Sequence, residues 1–152
     1  MSWKLDREEF IRIIDINLTS TFLACKVFSP AMRQKNWGRI VNISSIVGST
    51  GVVGASHYAA AKAAVNGFTK SLALELARNK ITCNALALGY FDAGIIDQVP
   101  PKHLEHIVGK TPLDRLGHSA NEIGGMVHYL LGPDSGFITG QILHIDGGLY
   151  SE

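Results

Sequence analysis

Charge is scarce in this chain, and what there is nearly cancels: 14 Lys and Arg face 13 Asp and Glu, a formal net charge of +1. That balance supplies no basic stripe for a phosphate backbone and no cationic face for an acidic membrane, so neither nucleic acid nor membrane is expected as a partner. Cysteine is scarcer still. Cys25 and Cys83 both fall inside apolar periodic segments and read as buried reduced thiols, not a disulfide framework, which points to a cytosol-like compartment. No apolar run approaches the roughly 18 residues of a spanning helix, and no signal peptide precedes Asp6, so a soluble, cytoplasmic chain is expected. His103 and His106 lack a partner Cys, and Glu105 falls on another helical face; a solvated helix is expected there, and no metal. The G-x-G-x-x-G dinucleotide fingerprint is missing too. The stretch GSTGVVG spaces its glycines G-x-x-G-x-x-G and leads into a helix carrying Tyr58 where a phosphate would need room. It reads as a flexible loop edging a substrate pocket.

What is present is organised around Ser45 to Lys62. The run RIVNISS is β-branched and ends in two hydroxyls, so it reads as a buried strand with Ser45 at its tip. Tyr58 follows thirteen residues later, and Lys62 four after that, one turn on along the same helix face. A free phenol titrates near pH 10, about three units too high for easy proton exchange near neutrality. An adjacent cation favours the phenolate and moves it toward what acid–base work requires. Ser45 is a donor to a substrate oxygen, since no base is evident that would make it a nucleophile. On its own, the Tyr–Lys pair reads as a plain helical surface pair.

The rest of the chain reads as one domain with enough apolar residues for a core. Asp6 opens a helix as a capping box with Glu9, and Phe10, Ile13, Ile14, Leu18, Phe22 and Cys25 continue it as an apolar stripe. Asn17 sits inside that stripe, where a buried amide must find a partner; a structural amide at a local kink and a catalytic residue both fit. A long Ala-rich helix is expected from about Ser56 to Arg78, with Phe68, Leu72 and Leu76 inward. ITCNALAL reads as a second buried strand ending at Gly89, NEIGGMVHYLLG as an amphipathic helix, and QILHIDGG as a last buried strand. Asp92 to His118 reads as a substrate-covering lid with a short helix from Pro101 to Gly109.

These segments carry a resemblance. DINLTSTF, Ser45, the YAAAK run, ITCNALALGY and FITGQILHIDGG together resemble the short-chain dehydrogenase/reductases over essentially the whole chain, most closely the 3-oxoacyl-[acyl-carrier-protein] reductases. The resemblance implies an α/β fold: the C-terminal portion of a doubly wound parallel-sheet Rossmann fold, about three strands and four helices, without the N-terminal phosphate-binding half. One incomplete domain, 1–152, and an exposed parallel strand edge follow from it. It also implies an oxidoreductase using NADP(H), with NAD(H) remaining open because the selecting residues belong to the absent half. Catalysis would fall to Asn17, Ser45, Tyr58 and Lys62, and the nicotinamide end would be held by Tyr58, Lys62, Gly89 and Phe91. Asn17, twenty-eight residues before Ser45, takes the place of the family's water-holding Asn in the proton relay. A homodimer or homotetramer formed through the two long helices is implied as well.

The chain also departs from that pattern. Leu88 stands where the family has Pro, and Ala93 where a Thr holds the carboxamide, so a side-chain contact to the nicotinamide is lost. Asn36 and Asn79 replace the arginines that dock an acidic carrier, with Lys35, Arg78 and Lys80 adjacent. A carrier-bound acyl group, a coenzyme A thioester and another small carbonyl or secondary alcohol therefore all stand as substrates. A second reading is a non-catalytic oligomeric interaction module.

Overall fold

The computed structural model describes residues 1–94, 96 and 99–150. Asp6 caps the first helix, α1 (Arg7–Ile14), its carboxylate accepting from Glu9 N at 2.7 Å. The box is only half closed, because the Glu9 carboxylate turns to Arg12, 2.7 Å away. A π-helical segment, Asp15–Thr19, leads without a break into α2 (Ser20–Lys35). Asn36 ends α2 in the left-handed conformation, φ 51°. Asn tolerates that geometry where a long side chain pays a steric penalty, a structural reason for Asn at this position.

Strand β1 (Gly38–Ser45) follows, then a short helix α3 (Val47–Thr50), the long α4 (Ser56–Leu76) and β2 (Ile81–Leu88). α5 (Pro101–Lys110), α6 (Gly124–Leu131) and β3 (Ile142–Ile145) complete the chain. The three strands form one parallel sheet in the order β1-β2-β3, an α/β fragment of the expected class. β2 is buried from Ile81 to Ala87. β3 is an edge and only half-buried, not the fully buried strand expected, because nothing pairs with its outer side among the described residues.

α2 and α4 cover one face of the sheet. Cys25 and Met32 of α2, Phe68, Leu72, Ala73 and Leu76 of α4, and Ile40, Ile81 and Cys83 of the strands pack there together. Both cysteines are buried and free. A buried polar link runs through this core: Asn42 Nδ2 donates to Thr69 Oγ1 at 2.9 Å. α6 approaches from the other face, where Arg39 Nε donates to Gly132 O at 3.1 Å.

Candidate active site

All functional candidates but one gather at the C-terminal end of the sheet, where ligands of open α/β sheets bind. Ser45 is the last residue of β1 and is 8% exposed. Its Oγ accepts from Val47 N at 3.2 Å and donates to Leu88 O at a long 3.5 Å, a weak tether that a substrate oxygen can displace. The preceding hydroxyl, Ser44 Oγ, donates to the Lys62 carbonyl at 3.3 Å. The tip of β1 is thereby fixed against the turn of α4 that carries the lysine.

Tyr58 and Lys62 project from successive turns of α4. The ammonium lies 5.6 Å from the centre of the Tyr58 ring, a cation–π separation. Nζ donates to the Ile43 carbonyl at 3.0 Å. Lys62 is 9% exposed, and burial lowers its pKa from the usual lysine value. α3 buttresses this turn. A Cβ on Gly48 would come within 2.9 Å of Ala63 N, so only glycine permits the close approach. Residues 47–50 are therefore a packed helical turn and not the loose loop expected; only Gly51 and Gly54 beyond it adopt positive φ.

Ser45, Tyr58 and Lys62 line one cavity of about 350 Å³, with Leu88, Gly89, Tyr90, Phe91, Ala93 and Ile96. Ser119 and Ile123 close it from the segment before α6; no sequence pattern marks those two, because they arrive by long-range folding. Asn17 is not among the lining residues. Its Nδ2 donates to Ile13 O at 3.0 Å inside the π-helical segment, the kink-satisfying role of an amide. That segment packs against α4, and π-helical turns are frequent at functional sites.

Two cofactor-binding candidates serve the fold first. Gly89 N–H donates to Ile145 O at 2.9 Å, and a Cβ on Gly89 would come within 2.7 Å of Asp146 Cα. Its glycine is explained by that crossing of β2's end and β3's. Phe91 is buried and bridges to Gly117. Below it Asp92 accepts from Ser119 N at 2.9 Å and lies 2.9 Å from His118 Nδ1. Those bonds, the backbone one foremost, hold its carboxyl down at about 2. The 92–118 excursion is thus tied at its base. Residues 95, 97 and 98 of the expected lid lie outside the described residues; the helix expected from Pro101 is α5. A larger cavity of about 460 Å³ on the other side of Tyr90 and Phe91 contains none of Ser45, Tyr58 or Lys62.

The cavity is of a size and lining that would suit the nicotinamide–ribose end of a dinucleotide. Its volume falls within the several-hundred-Å³ range of small-ligand sites, and Tyr58 and Lys62 supply polar groups facing it. Ala93 there offers no side-chain hydrogen bond.

The profile of the family described as Enoyl-(Acyl carrier protein) reductase matches residues 2–150. Nodulation protein G of Azospirillum brasilense is 42% identical over 96% of this chain and 59% of its own length. The 3-oxoacyl-[acyl-carrier-protein] reductase FabG of Haemophilus influenzae is 42% identical over 97% of this chain and 60% of its own. A solved 3-oxoacyl-[acyl-carrier protein] reductase from Brucella melitensis superposes with a TM-score of 0.94 at 39% identity, over 99% of this chain and 56% of that one. The chain thus spans about three fifths of the length of the relatives it matches. With this sheet order, this site and these likenesses, the chain belongs to the short-chain dehydrogenase/reductase family and is most like its 3-oxoacyl-[acyl-carrier-protein] reductases.

Proposed function

We propose that this chain is the proton-handling portion of an NADPH-dependent reductase of 3-oxoacyl thioesters, with the phosphate-binding half of the dinucleotide site supplied outside residues 1–152. The observation that carries the reading is the convergence of Ser45, Tyr58 and Lys62 on one cavity. When bound, the nicotinamide supplies a hydride to the ketone carbon. Tyr58 gives its phenolic proton to the ketone oxygen, so the product is the 3-hydroxyacyl thioester. Ser45 releases its weak tether to Leu88 and donates to that same oxygen. Lys62 offsets the negative charge that grows on the phenol oxygen as its proton leaves, and holds the ribose hydroxyls. The family resemblance adds Asn17, outside the cavity on the π-helical turn that packs against α4, as the residue that anchors the water returning the proton.

Self-association belongs to this reading. Leu74 of α4 is 81% exposed, and Val27 and Phe28 of α2 are 68% and 63% exposed. Apolar side chains this open on two long helices suit a homodimer or homotetramer. A cytoplasmic location accords with the chemistry, and among the described residues no helix is long and apolar enough to cross a membrane.

The test uses a chimera that joins a phosphate-binding half to this chain. Acetoacetyl-coenzyme A should drive NADPH oxidation, crotonyl-coenzyme A should not, and NADH should serve less well. The 152-residue chain alone should bind NADPH weakly or not at all, since its described residues form no glycine-rich pyrophosphate cradle. Reduction of crotonyl but not acetoacetyl thioester would overturn the substrate class. A folded chimera inert toward every carbonyl would favour the interaction-module reading.

A further inference from the structure

Ser119 brings a hydroxyl to the apolar part of the Ser45–Tyr58–Lys62 cavity. Its neighbours among the lining residues, Ala93, Ile96 and Ile123, offer no hydrogen-bonding side chain. Ser45 belongs to β1, and Tyr58 and Lys62 to α4. Ser119 instead opens the π-helical segment Ser119–Ile123 that leads into α6, and it is half-buried.

A serine hydroxyl has one proton to give and two lone pairs with which to accept. The proton of Ser119 is already engaged. The Asp92 carboxylate takes a hydrogen bond from the Ser119 hydroxyl as well as from Ser119 N, the latter at 2.9 Å. The other oxygen of Asp92 lies 2.9 Å from His118 Nδ1. With its carboxyl held at about 2, foremost by the backbone bond, Asp92 is ionised at neutral pH and remains an acceptor. Lone pairs are therefore what Ser119 has left for a ligand. The group that suits them carries an N–H and not a bare carbonyl.

We propose that Ser119 accepts a hydrogen bond from the ring carboxamide of the nicotinamide, where Ala93 offers none, and that Asp92 is the positioning residue that keeps the hydroxyl an acceptor. The assignment rests on the reading of this cavity as a nicotinamide site and adds a selectivity to it. Ser119 distinguishes a ring carboxamide from an acetyl group of nearly the same shape, because only the carboxamide has a proton to give.

The probes are reduced nicotinamide mononucleotide and its 3-acetylpyridine counterpart, in which a methyl replaces the amide nitrogen. Both carry the ring and ribose without a pyrophosphate, so the 152-residue chain itself is titrated. Backbone amide shifts of Gly89 and Lys62 report binding by NMR; turnover is not read. The parent should bind the carboxamide weakly, yet at least fivefold tighter than the acetyl form. Ser119→Ala, which keeps the backbone bond to Asp92, should weaken the carboxamide form about threefold or more, the size of one hydrogen bond between neutral groups, and leave the acetyl form unchanged. Ser119→Thr keeps the hydroxyl and should retain the parent's preference. Asp92→Ala frees the hydroxyl to turn and donate, so the acetyl form should gain while the carboxamide form loses. A parental preference in Ser119→Ala overturns the role of Ser119 and leaves the nicotinamide reading standing. Equal losses for both ligands in Asp92→Ala overturn the positioning role. Failure of the parent to bind either ligand overturns the nicotinamide reading, and this assignment with it.

Discussion

β1 and β2 are both eight-residue strands, paired in parallel from Gly38↔Ile81 to Ser45↔Leu88. Their composition is alike, yet their surroundings are not. β2 has a strand on each side and is buried through seven residues in succession. Among the described residues β1 has one neighbour; it alternates between buried and half-buried as far as Ile43, where it opens. The inner strand is the fixed frame: backbone groups satisfy its Asn84, although the Thr82 hydroxyl is buried without a hydrogen-bond partner. The outer strand carries the hydroxyl and receives the lysine.

The largest test of this contrast is truncation of one apolar residue on each strand. Leu86 is fully buried on β2, so Leu86→Ala should cost about 2–5 kcal/mol. Ile43→Ala on β1, half-exposed already, should cost less than about 1 kcal/mol. Urea unfolding of both variants checks the pair, and equal losses would erase the distinction.

A buried amide on each strand gives a smaller difference. Asn84 on β2 donates to Ile138 O at 2.8 Å and accepts from Gln141 N at 3.1 Å. Asn84→Ala strands both backbone groups and should cost about 2–4 kcal/mol in the same unfolding experiment, from the lower part of the roughly 1–3 for each unsatisfied group. Asn42→Ala on β1 removes chiefly the bond to Thr69 and should cost about half as much, on the order of 1–2 kcal/mol.

The smallest expected effect is in alkaline solution. Burial, aided by Cys25, pushes the Cys83 thiol up to about 12. The unfolded chain then loses that proton from about pH 9, so the folded state binds more protons than the unfolded one between 9 and 12. Stability should therefore fall as pH rises through that window. Cys83→Ala should flatten the decline, and thermal melts across pH 8 to 10.5 would show it. A slope identical to the parent's would mean that β2 does not hold its thiol protonated.

Much of this frame is legible in the sequence, and the reasons are local. Continuous β-branched runs bounded by helix ends mark β1 and β2, and the Asp6 cap marks where α1 begins. Fold class follows from their alternation with helices. Asn17 inside the apolar stripe hints at a local kink, but its π-helical form does not show, because the apolar period runs through it unbroken. Glu9 could not be assigned to Arg12 over its own cap, since both partners lie three residues away. The incomplete burial of β3 and the Lys62–Ile43 contact depend on strand order, which no single segment contains. Tyr58 and Lys62 could be placed on one face from spacing alone. That they share a cavity with Ser45, and that Ser119 and Ile123 join them, required the folded chain.

The central claim is that the phenol of Tyr58 delivers the proton. Tyr58→Phe, compared with its parent in the chimera for acetoacetyl-coenzyme A reduction, should lower kcat/KM by at least about 10²-fold, in line with the loss of a general acid, with melting temperature and NADPH affinity little changed. Turnover equal to the parent's would contradict the claim.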